Sequence, residues 1–183
     1  MSFTSVLPTP QVILKSRLPP VGVWVYGYFL RIVRRGDIIL PEDQNNIVYA
    51  WLAKLDALAE IEGKLRKVEP EKADTLAAYI SELKAIVDQM PLVKEGDWVY
   101  AEHFNLHVRA LGKLIEIEEW MATEIASGDP EMVRLLDEMK SYFQRVEERK
   151  SGEIVTSADW NAIRYALSLA PLLDELAEEH VPK

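Results

Sequence analysis

Residues 96–114 read GDWVYAEHFNLHVRALGKL, and the fold turns on this stretch occurring three times. The earlier copy, residues 36–55, reads GDIILPEDQNNIVYAWLAKL, and the later one, residues 152–173, reads GEIVTSADWNAIRYALSLAPLL. Without gaps, Gly36, Gly96 and Gly152 superpose, each followed by an acid: Asp37, Asp97 and Glu153. Nine positions after the glycine stand Asn45, Asn105 and Asn161. Further on come Ala50, Ala110 and Ala166, then Trp51, Leu111 and Leu167. The first two copies remain alike beyond this stretch, with Glu69-Pro70-Glu71 matching Asp129-Pro130-Glu131, Leu76 matching Leu136, and Leu83 matching Phe143. Successive glycines lie 60 and then 56 residues apart (36 to 96, 96 to 152), the length of two helices and a turn, so the unit reads as a helical hairpin.

Each Gly-acid pair marks a turn, and two or three β-formers follow it (Ile38-Ile39, Trp98-Val99, Ile154-Val155) before a helix begins. Pro41 suits a first helical position, and Thr156 with Asp159 spells a capping box. Acid-Pro-Glu at residues 69–71 and 129–131 puts carboxylates at the positive end of a helix dipole. The spacing predicts helices over 41–67, 70–89, 101–126, 130–149 and 157–179, with Pro171 kinking or ending the last. Leu52, Leu55, Leu58 and Leu65, and Leu111, Leu114, Ile115 and Ile125, are the expected inward faces. The fold class expected is mainly α: a bundle of four to five helices built from repeated helical hairpins, preceded by an extended N-terminal arm.

Residues 1–35 form that arm and residues 36–183 the acidic repeat domain, with repeats starting near 36, 96 and 152. The arm holds Pro8, Pro10, Pro19 and Pro20, which oppose helix, while periodicity leaves residues 21–40 open between strand and buried helix. It carries Lys15, Arg17, Arg31, Arg34 and Arg35 and no acid, whereas the rest of the chain sets 16 bases against all 30 acids. A basic arm before an acidic body suits a negatively charged partner: nucleic acid, or the body of a neighbouring copy. Trp24, Tyr26 and Tyr28 beside the bases fit base stacking with phosphate neutralisation, and equally an arm packed on a neighbouring subunit. The apolar run 21–33 has no following small-residue cleavage site and, at about 13 residues, falls short of the roughly 20 needed to span a bilayer, so neither a signal peptide nor a membrane span is expected.

Candidate chemistry is sparse. Cysteine is absent, which removes disulfides and thiolate metal sites. Few Asn and Gln beside many Glu, Lys and Arg is the drift of proteins from hot environments. Asparagine disfavours helix interiors but can tie down a loop from a first turn, so Asn45, Asn105 and Asn161, with Gly36, Gly96 and Gly152, read as a structural clamp on the preceding Gly-acid loop. His103 and His107 have zinc-compatible spacing, yet they align with Asp43 and Asp159 and with Ile47 and Ile163 respectively, which gives them unlike roles. No third ligand, phosphate loop or converging acid pair is evident, so neither metal, cofactor nor catalytic set is expected.

The pattern Gly-Asp-x-Val-x-Ala-Glu-x-x-Asn-x-x-Val-x-Ala-Leu, clearest from residue 96 to 111, resembles segments of phage tail and head fibres and of structural proteins from viruses of hyperthermophilic archaea. An arm before an acidic helical bundle also resembles the capsid proteins of filamentous archaeal viruses, which wrap double-stranded DNA. What the resemblance implies is a self-assembling virion protein, a capsid or nucleocapsid subunit, located in the virion rather than the cytoplasm. Its arm would contact copies of itself or a paralogue, with genomic double-stranded DNA as a further partner. A fibre or appendage subunit, expected to be trimeric, and a cellular helical scaffold are the alternatives.

Overall fold

The computed structural model describes residues 21–182. Lys15 and Arg17 lie outside them. The chain is mainly helical. A two-stranded antiparallel hairpin, β1 (Gly22–Val25) and β2 (Tyr28–Arg31), precedes six helical segments: α1 (Pro41–Leu65), α2 (Pro70–Val87), α3 (Ala101–Glu124), α4 (Pro130–Phe143), α5 (Ser157–Ser168) and α6 (Ala170–His180). The last two form one helix interrupted at Leu169, as Pro171 requires, so five helical rods result. The fourth helix stops at Phe143, well short of the expected 149.

Residues 21–35 are therefore part of the folded body, with Val25, Leu30 and Val33 fully buried. The hairpin turns at Tyr26 and Gly27, both with positive φ, the geometry of a tight turn matched to strand twist.

Six positions per copy build the core. In α1 they are Ile47, Trp51, Lys54, Leu58, Ile61 and Leu65; in α3, His107, Leu111, Leu114, Glu118, Met121 and Ile125; in α5–α6, Ile163, Leu167, Ala170, Asp174, Ala177 and Val181, the outermost of which lie at or just past the helix ends. All eighteen are buried. The alternating four-and-three spacing is that of a heptad seam. Contacts join neighbouring levels in the same order along each helix: Trp51 reaches His107, and further along Lys54 reaches Glu118 and Asp174. The three inner helices thus run parallel about one axis, as in a three-stranded coiled coil, but within a single chain.

Each interhelical groove receives one outer element. Helix α2 packs between α1 and α3, and α4 between α3 and the α5–α6 rod. The third groove, between that rod and α1, receives the hairpin, with β1 on α5 and β2 on α1. The molecule is a pseudo-three-fold bundle whose third outer helix is replaced by a hairpin from the other end of the sequence. Leu55, Leu58 and Leu65 are buried, but Leu52, also expected inside, is exposed, because the seam steps from Trp51 to Lys54 and leaves it to one side.

Candidate functional site

Each repeat begins with the same turn. Asp37 N–H donates to the Arg34 carbonyl, Asp97 to Lys94 and Glu153 to Lys150, at 3.0, 3.1 and 3.0 Å. The acid side chain closes the turn from outside, accepting from the Arg34, Lys94 and Lys150 amides at 2.9, 2.8 and 2.8 Å. Gly36, Gly96 and Gly152 hold φ of 86°, 90° and 89°, the left-handed value demanded at the third position of a type II turn, and this explains the glycine.

The three asparagines tie loops, but not the ones next to them in sequence. The Asn45 side chain donates to the Val93 carbonyl and accepts from the Val93 amide, both at 2.9 Å. Asn105 does the same to Arg149 at 2.8 and 2.7 Å, and Asn161 to Val33 at 2.7 and 3.0 Å. Val33, Val93 and Arg149 each stand three residues before a repeat glycine. Each copy thus holds the entry loop of the next, and the third holds that of the first. The sequence expectation was a clamp on the copy's own preceding loop; rotation about the axis brings the next loop nearer instead.

These links gather the three loops at one pole. The β-formers after each turn point outward there: Ile38 is 62% exposed, Trp98 78% and Ile154 80%. Ile39, Val99 and Tyr100 add exposed apolar area beside them.

The arm residues singled out from sequence separate into different roles. Arg31 is committed to the fold: its guanidinium donates to both Asp43 oxygens at 2.9 and 2.5 Å and to the Ile38 carbonyl at 2.8 Å. Arg34 and Arg35 are exposed in the first turn. Trp24 is exposed beside Phe29, and Tyr28 packs on Tyr49. Tyr26 turns inward and donates to Asp174.

That bond leads to a buried charge cluster the sequence did not announce. Fully buried Lys54 donates to Glu118 at 2.6 Å and to Asp174. Burial favours the neutral amine, but the two carboxylates outweigh it and hold Lys54 above its ordinary range. One ammonium cannot neutralise two carboxylates fully. Burial pushes Glu118 up to about 7 against the opposing pull of Lys54, and its Oε2 has no hydrogen-bond partner. Burial, with Asp174 and Glu118 close by, also pushes the Tyr26 phenol far up.

His103 and His107 have different surroundings. His107 accepts from the Trp51 indole at 3.0 Å through Nδ1, and burial, with help from Arg164 and His103, lowers it to about 3. His103 lies against the Tyr100 ring, its Nδ1 unpartnered. Among the described residues no group of three or more His, Cys, Asp or Glu side chains is placed to hold a metal ion, and no helix is long and apolar enough to cross a membrane.

What fold and site define together is a single-chain, pseudo-three-fold helical bundle with one apolar pole. No family model matches the chain, and no curated protein or solved structure resembles it significantly.

Proposed function

We propose that this chain is a structural, self-associating virion protein of the fibre or appendage kind. The observation that carries the reading is the closed ring of asparagine clamps around a parallel heptad core. It gives the fibre-like motif a mechanical meaning, because the motif is the device that locks three parallel helices at their starts. Three tandem copies make one chain equivalent to a trimer, which suits a part seated on or within a three-fold shaft.

A genome-wrapping capsid subunit is less well supported. Of the three arginines clustered at residues 31–35, Arg31 is held by Asp43 and Asp37 and has no freedom to meet phosphate. Only Arg34 and Arg35, with Lys15 and Arg17, are left for that task.

Electron microscopy and sedimentation of the full-length chain test the reading. Discrete self-associated particles, formed without nucleic acid, are expected. A monodisperse monomer at high concentration would sink it. Retention of double-stranded DNA that falls steeply with salt and disappears in R34E/R35E would move the assignment to the nucleocapsid.

A further inference from the structure

The exposed apolar side chains are unevenly distributed. Ile38, Ile39, Trp98, Val99, Tyr100 and Ile154 all lie on the loops at the N-terminal ends of the three inner helices. Val21 and Leu92, also exposed, flank the same loops. At the opposite pole, where α1 and α3 end, Val68 and Val133 are the exposed large apolar residues among those described.

Among the described residues nothing covers them. An ordinary loop entering a helix carries polar residues, yet here the same place bears Ile, Trp and Ile in successive copies. Together the six side chains offer apolar area on the order of several hundred Å², beyond the scatter of lone exposed residues and near the ~800 Å² each partner gives to a standard interface. Charges of both signs stand beside them, Arg34, Arg35, Lys94 and Lys150 with Glu42, Glu95 and Glu102, so two such poles meet without a large excess of like charge.

We infer that this pole is the interface with a second copy of the chain, joined pole to pole in a closed, isologous dimer. The concentration of exposed apolar side chains at one end, with Trp24, Tyr28, Leu52, Val68, Val133 and Leu172 scattered elsewhere, selects this arrangement. A head-to-tail contact would set the apolar loops against a pole offering two separate valines, Val68 and Val133, and would propagate into a filament, whereas facing like poles buries both patches and stops. The pseudo-three-fold axis multiplies the contact, since each copy brings three equivalent patches. The inference rests on the self-associating reading above and names the surface through which association runs.

Sedimentation equilibrium of the full chain, with W98D and I154D compared, tests it. A wild-type dimer is expected, with each substitution weakening it at least about 30-fold, the loss typical of a central interface residue. Because Trp98 and Ile154 are solvent-facing, the thermal midpoint of the separated chain should stay within a few degrees of wild type. The natural absence of cysteine allows a second readout. Ser151→Cys or Glu95→Cys should be linked into dimers by a flexible bis-maleimide, and Lys67→Cys at the opposite pole should not. Self-association that survives both aspartate substitutions, linkage through position 67, or an open filament overturns the pole assignment and leaves the structural reading standing. A monomer at every concentration overturns both.

Discussion

The amide of asparagine presents a donor and an acceptor side by side, so it can satisfy the N–H and C=O of one residue at once, and this explains its place in every copy. Removing it strands two backbone groups. Asn45→Ala, Asn105→Ala and Asn161→Ala should each lower unfolding free energy by about 1–3 kcal/mol in denaturant titrations. Aspartate, which keeps the acceptor and loses the donor, should not restore it. A loss near zero at all three sites would mean that packing alone holds the loops.

Two buried titrating groups oppose each other at the same scale. Glu118 is pushed up to about 7, so the folded state holds a proton that the unfolded chain releases above about 4.5, and this group makes stability fall as pH rises through that window. His107 is lowered to about 3, so the unfolded chain takes a proton that the folded state refuses, and this group makes stability rise with pH between about 3 and 6.5. Where the windows overlap, the slopes offset. Glu118→Gln should therefore expose a net loss of stability on acidification from pH 6.5 to 4.5, approaching ~1.4 kcal/mol per pH unit at most. Unfolding titrations at fixed pH values check it, and an unchanged pH profile contradicts the assignment.

At the scale of elements, Lys54, Glu118 and Asp174 interrupt a seam that is apolar apart from His107. Their counterparts in the other copies are Leu114 and Ala170 for Lys54, and Leu58 for both carboxylates. Lys54→Leu alone should be severely destabilising, by about 3–5 kcal/mol, because it leaves two buried acids without a cation. The combined variant K54L/E118L/D174L, with Tyr26→Phe to remove the orphaned hydroxyl, should recover wild-type stability or exceed it. A combined variant worse than the single one would show that the cluster itself stabilises. The same residues explain which elements could be read from sequence and which could not. Helix starts were legible because Pro41, Pro70, Pro130 and Thr156 are local signals. Leu55, Leu58 and Leu65 were legible as core, but Leu52 was misread because the seam position beside it, Lys54, is charged. The hairpin stayed ambiguous because Tyr26 carries a positive φ with no sequence mark beyond Gly27. The clamp residue was legible and its partner was not, since spatial rotation between copies leaves no trace in spacing.

At the scale of the whole molecule, the links differ in the length of chain they enclose. Asn45 and Asn105 reach 48 and 44 residues along the sequence, but Asn161 reaches back 128 to Val33. The first two can form as each hairpin collapses; the third requires both ends of the chain to be in place. Asn161→Ala should thus accelerate unfolding with little change in folding rate, whereas Asn45→Ala and Asn105→Ala should slow folding, as read from chevron plots. Equal slowing of folding by all three would mean that the ring assembles in one step. The 161–33 link behaves, in this light, as a buckle. It is the last to fasten and the first to slip, and a molecule opened there would expose α1 and the α5–α6 rod to the same elements of another copy. The seam where the hairpin substitutes for a helix is therefore the place at which two chains could exchange parts.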